Sequence, residues 1–89
     1  MATWKIELVK EAKRDLEKLD PQVIRRIERF LYERVAKLDN PRSIGEALRG
    51  SLKGLWKYRV GDYRIVASIE DGVLRVLIVH IGNRREVYR

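Results

Sequence analysis

With 89 residues the chain has room for one domain with a modest core and none for a second. Lysine and arginine number 20 against 13 aspartates and glutamates, a formal charge of +7 that favours an acidic partner: nucleic acid, an acidic protein or an anionic surface. There is no cysteine, which excludes a disulfide framework and a thiolate metal site. No apolar run nears the roughly 18 residues that span a bilayer. The expectation is a single soluble, cytoplasmic domain over residues 1–89, with no membrane association.

Thr3 to Val9 opens the chain as a half-buried strand, Trp4, Ile6 and Leu8 alternating with Thr3, Lys5 and Glu7. From Lys10 the period lengthens: Ala12, Leu16 and Leu19 fall on one helical face, with Lys10, Lys13, Arg14 and Lys18 on the other. Leu19-Asp20-Pro21 ends that helix and starts a second, with Asp20 as N-cap and Pro21 in the first helical position. The stripe Val23, Ile24, Ile27, Phe30, Leu31 and Val35 runs to near Leu38, where Asp39-Asn40-Pro41 closes it. Helices joined this tightly form an antiparallel hairpin whose stripes pack on one face of a sheet. Their outer surface carries Arg25, Arg26, Arg29, Arg34 and Lys37 with Glu28 and Glu33 between them, a solvated face with i,i+4 pairs.

Pro41 to Gly54 is the least regular stretch, with the makings of a helical turn over Ser43 to Leu48 and a cation, Arg49, shortly ahead of the next strand. Leu55 to Val66 reads as a two-stranded hairpin around Gly61-Asp62. Its register sets Val60 opposite Tyr63, Arg59 opposite Arg64, Tyr58 opposite Ile65 and Lys57 opposite Val66. Side chains alternate along a strand, so Trp56, Tyr58, Val60, Tyr63, Ile65 and Ala67 share a core face, and Lys57, Arg59 and Arg64 share the other. Like charges placed directly opposite destabilise a bare hairpin. Two readings stay open: the long side chains splay into solvent as an ordinary edge, or an anion offsets the cost, phosphate suiting the arginine fork.

Asp71-Gly72 offers a second two-residue turn, after which Val73 to Ile81 returns as a third strand. Pairing Glu70 with Val73 sets Ser68 opposite Arg75, Val66 opposite Leu77 and Arg64 opposite Val79. Leu74, Val76 and Ile78 then join the core face, while Val66, Leu77, Val79 and Ile81 form an apolar patch beside the cations. His80 falls on the core side near Tyr63, a satisfied histidine rather than a base. The tail Gly82 to Arg89 leaves close to Arg64 and brings Arg84, Arg85 and Tyr88 towards the cluster.

Several chemistries drop out. One histidine and no cysteine leave no HExxH and no zinc-finger spacing, and the glycines make neither GxGxxG nor a Walker loop. What remains is a set of cations with tyrosine, able to stabilise the extra charge of a pentavalent phosphoryl transition state.

The order strand, helical hairpin, Leu48-Arg49-Gly50 loop, Trp56 to Val66 hairpin, hydrophobic strand and His80 to Tyr88 tail resembles the RelE/ParE toxin superfamily of bacterial and archaeal toxin–antitoxin systems, over nearly the whole chain. The resemblance implies an α+β fold: an N-terminal strand, an antiparallel helical hairpin, then a three-stranded antiparallel meander with the helices on one face. Its RelE branch implies a metal-independent, cofactor-free endoribonuclease that cuts mRNA in the ribosomal A site. Its ParE branch shares the hairpin but inhibits DNA gyrase and generally lacks the nuclease cluster. Either implies a small acidic antitoxin, RelB-like in the first case, that wraps the toxin.

Carried over by position, Lys57 matches the first of two catalytic lysines, Arg64 the phosphate-holding strand arginine, Arg84 the arginine after the glycine turn, and Tyr88 the tyrosine that stacks on a base. Arg49 matches a loop arginine that contacts RNA, and Arg85 joins it in binding. Arg59 stands where the RelE pattern has its second lysine. Arginine stays protonated to above about pH 12, so Arg59 suits a phosphate clamp and Lys57 the proton acceptor.

Overall fold

The computed structural model describes residues 3–83. Five strands form one sheet in the order β1-β5-β4-β3-β2: β1 (Lys5–Leu8), β2 (Glu46–Ala47), β3 (Trp56–Val60), β4 (Tyr63–Glu70) and β5 (Arg75–Asn83). The first strand pairs parallel with the first half of β5, from Lys5↔Arg75 to Leu8↔Ile78. All other pairings are antiparallel. The expected meander is β3-β4-β5, and β2 extends it at one edge. Two residues carry no visible periodicity, which is why the sequence gives β2 no signal, and so short an edge offers little to a foreign strand.

Helix α1 (Lys10–Glu17) buries Ala12 and Leu16, and α2 (Pro21–Arg29) starts at its proline as expected. Asp20 takes the extended N-cap conformation, but its side chain makes no cap hydrogen bond. After Arg29 the helix widens to a π turn over Phe30–Arg34 and tightens to a 3-10 turn over Val35–Lys37. That change of pitch lets Leu31, Val35 and Ala36 all reach the interior. Ile27, Leu31 and Val35 meet Tyr58, Val60, Ile65, Ala67, Val76, Ile78 and Ile81 in one core between the helices and a single sheet face.

The β3-β4 hairpin has the expected register at every rung, from Trp56↔Ala67 to Val60↔Tyr63. Its turn places Gly61 at φ 58, the left-handed conformation a two-residue hairpin loop asks of glycine. The second hairpin differs from expectation. Asp71–Val73 form a 3-10 turn and Leu74 follows in the left-handed region at φ 49, so four residues connect the strands instead of two. The turn is pinned from outside by Arg42, whose guanidinium donates to both Asp71 oxygens at 3.0 and 2.6 Å. Arg75 is held between Glu70 and Glu7, with the Glu7 contact at 3.1 Å.

Pairing therefore begins at Glu70↔Arg75 and Ser68↔Leu77. A slip of two keeps faces unchanged, and Val76 and Ile78 are buried as expected, whereas Leu74 is an exposed turn residue. Between Val66 and Ala67 the register shifts again, and an extra residue on β5 inverts the alternation beyond it. Ile81 consequently lies in the core and not on the cation face, Arg64 faces Gly82 and not Val79, and His80 faces Val66 instead of the core.

Candidate functional site

Tyr58 fixes the floor on which the cations stand. Its ring is fully buried on the core face, edge-on to Phe30, and its hydroxyl donates to the Pro41 carbonyl oxygen at 2.7 Å. Burial pushes its hydroxyl pKa up to about 12, with Arg42 opposing the shift, so Tyr58 is a neutral structural anchor and not an acid–base group. Pro41 belongs to a 3-10 turn (Pro41–Ile44) that leads through Gly45 into β2. A Cβ at Gly45 would lie 3.1 Å from the Tyr58 ring and 3.2 Å from the Lys57 carbonyl oxygen, so this close approach of loop to strand suits glycine.

The opposite face of β3 and β4 carries the charges. Arg59 and Arg64 are direct cross-strand partners, and Lys57 stands one rung away opposite Val66. Lys57, Arg59 and Arg64 line one shallow cavity of about 80 Å³ together with Ile44, Glu46 and Tyr58. Arg59 is exposed, while Lys57 and Arg64 are half-buried. At a separation of ~5 Å, two unit charges repel by about 1 kcal/mol in water and about 3 kcal/mol at an effective dielectric of 20. The cluster thus favours occupation by an anion.

Glu46 was not anticipated from the sequence. It faces Lys57 in the β2-β3 ladder, and its Oε2 lies 3.5 Å from Lys57 Nζ. It is the one carboxylate among the described residues lining the cavity. Its only sequence signal was a place in the irregular loop, where nothing marked it as strand.

Arg49 is not among the residues lining the cation cavity. It lines an adjoining cleft of about 410 Å³ with Glu46, Ala47, Leu48, Leu52 and Lys57, of which Glu46 and Lys57 also line the cation cavity. Arg84, Arg85 and Tyr88 lie outside the described residues. The chain nevertheless reaches Gly82 directly opposite Arg64. His80 stands apart from the cavity lining, with Nδ1 3.0 Å from Asp15 Oδ2 on α1.

This arrangement can grip a phosphodiester by arginine forks while a lysine, countered by one carboxylate, sits at its side. Comparison with known proteins gives this geometry a context. Residues 6–88 match the family model described as the ParE toxin of the type II toxin–antitoxin system parDE. Toxin RelE of Mycobacterium tuberculosis is 37% identical over 86 residues, spanning 97% of this chain and 87% of that protein. Toxin RelG of the same organism is 29% identical over 86 residues, 97% of each chain. The crystal structure of the RelBE2 toxin–antitoxin complex from M. tuberculosis superposes with a TM-score of 0.87 at 28% identity, covering 97% of both chains. The archaeal RelE–RelB complex from Pyrococcus horikoshii superposes at 0.72 with 24% identity over 94% of this chain and 98% of that one, a likeness of fold.

Proposed function

This chain belongs to the RelE/ParE superfamily of type II toxin–antitoxin toxins, and from that premise we propose that it is a ribosome-dependent endoribonuclease that cuts mRNA in the A site. The observation that carries the proposal is the convergence of Lys57, Arg59 and Arg64 on one cavity, with the two arginines directly opposed. Such a cluster destabilises the free hairpin and suits a dianionic phosphorane.

In the proposed reaction the ribose 2′-oxygen attacks the adjacent phosphorus, forming the O2′–P bond as the P–O5′ bond breaks. The products are a 2′,3′-cyclic phosphate and a 5′-hydroxyl. Lys57 stands beside the two arginines in the cavity and assists removal of the 2′-hydroxyl proton. Arg59 and Arg64 hold the phosphorane oxygens. Arg84 stabilises the departing 5′-oxygen and helps it acquire a proton, while Tyr88 stacks on a base, a contact worth about 1–3 kcal/mol. Arg49 and Arg85 bind flanking RNA. Glu46 counters Lys57 until a phosphate competes for it. The chemistry asks for neither metal nor cofactor.

The partner under this reading is a small acidic, RelB-like antitoxin, and the toxin works in the cytoplasm; the similar RelBE2 structure is a toxin–antitoxin complex. The ParE name of the matching family model favours a second reading, inhibition of DNA gyrase without RNA cleavage. End-group analysis of cut mRNA separates them. The nuclease reading expects 2′,3′-cyclic phosphate ends that vanish with Arg64→Ala; cleavage at the wild-type rate by that variant would remove Arg64 from the site. Growth arrest with intact mRNA and DNA damage would favour gyrase.

A further inference from the structure

Among the described residues, β5 has no strand on its outer side beyond Ile78, because β1 ends at Leu8 and α1 follows. A backbone N–H on such an edge, packed against a helix, needs an acceptor. The Ile81 N–H donates to Asp15 Oδ2 at 3.2 Å, and the same oxygen lies 3.0 Å from His80 Nδ1. One carboxylate on α1 thus takes two successive residues of β5. Those residues lie immediately after the point where the β4-β5 register shifts.

That shift decides what lies beside Arg64. If the pairing Ala67↔Ile78 continued without the extra residue, Val66 would face Val79, Ile65 would face His80 and Arg64 would face Ile81. A histidine would then enter the core, and a branched side chain would stand next to the arginine. In the observed register Ile81 is 2% exposed in the core and Gly82, which has no side chain to obstruct a guanidinium, faces Arg64. We infer that Asp15 is a positioning residue that locks β5 in this register and so keeps Gly82 beside Arg64; the inference rests on the nuclease reading above. Asp15 is not among the residues lining the cation cavity and acts through β5, by the Ile81 backbone and the His80 side chain.

The test compares wild type, Asp15→Ala, Asp15→Asn and His80→Ala in single-turnover cleavage on ribosomes programmed with a defined A-site codon. Misplacing a phosphate clamp by an ångström slows chemistry by up to about a hundredfold, and Asp15→Ala is expected to lower the maximal rate about tenfold or more. The half-saturating ribosome concentration should stay unchanged, and Asp15→Asn, which keeps an acceptor oxygen, should restore most of the rate. In hydrogen exchange the Ile81 amide should lose protection in Asp15→Ala while Val76 and Ile78 keep theirs. Wild-type cleavage by Asp15→Ala, an equal loss in Asp15→Asn, or an unchanged Ile81 amide would each overturn the lock. Should Asp15→Ala fail to fold, His80→Ala removes the side chain, 45% exposed, that contacts the same Asp15 oxygen. It is expected to slow cleavage and loosen the Ile81 amide, and no change in either would overturn the lock. A wild type that cuts no A-site codon defeats the nuclease reading instead, and the exchange comparison then still decides whether Asp15 holds the register.

Discussion

Replacing Arg59 with glutamine should make the protein more stable and less active. Arg59 faces Arg64 directly across the β3-β4 ladder. Like charges at directly opposed positions destabilise the pair, and the exposure of Arg59 keeps the energy near the aqueous limit of about 1 kcal/mol at ~5 Å. Glutamine keeps much of the aliphatic stem and removes the charge. A gain of about 0.5–1 kcal/mol is expected at low salt, which for a domain of this size raises Tm by about 2–8 °C. The gain should shrink as ionic strength rises, since the Debye length falls to about 3 Å at 1 M salt. Loss of one phosphorane-holding cation should lower the cleavage rate about 10²–10³-fold. Thermal melts at two salt concentrations, beside A-site cleavage assays, read both effects. An Arg59→Gln protein that melts lower than wild type at low salt would refute the electrostatic argument, and one that cleaves at the wild-type rate would remove Arg59 from the site.

Tyr58→Phe removes the hydroxyl that donates to Pro41 and leaves a buried carbonyl without it, at a cost of about 1–3 kcal/mol readable in urea unfolding. Because the folded pKa of Tyr58 stands at about 12, above the ordinary value, the unfolded chain loses its proton first. Wild-type stability should therefore fall as pH rises from about 10 to about 12, a decline missing from Tyr58→Phe. The Arg42 guanidinium holds the Asp71 carboxyl below its ordinary value, so that pair stabilises the fold at neutral pH and stops doing so as pH falls through the lowered value. Asp71→Asn should flatten this part of the acid limb in a stability-against-pH series. Glu46→Gln removes the carboxylate that competes with phosphate for Lys57 and should tighten RNA binding in fluorescence anisotropy, with the largest gain at low salt. Weaker binding by that variant would contradict its assigned role.

How far the chain could be read depended on how local the deciding interactions were. Gly61-Asp62 sits between two alternating runs, so turn and pattern agree, and every rung from Trp56 to Ala67 followed, including the meeting of Arg59 with Arg64. Asp71-Gly72 looks similar, yet Arg42 claims Asp71 from another part of the chain and Arg75 is held by Glu7 and Glu70. Those partners favour the longer loop, and Leu74 adopts a left-handed conformation that a leucine does not announce. The second register shift is decided by Asp15, separated from Ile81 by 66 positions, and it alone moved Ile81 into the core and His80 out of it. Glu46 escaped notice because a strand of two residues has no period, although its carboxylate alters the charge balance at Lys57.

The most direct test of the central claim is to map mRNA 5′ ends on ribosomes holding a defined codon in the A site, with wild type and Lys57→Ala side by side. The account predicts new 5′ ends inside that codon with wild type and their loss with Lys57→Ala. Intact A-site codons in the presence of a folded, growth-arresting wild-type protein would contradict it.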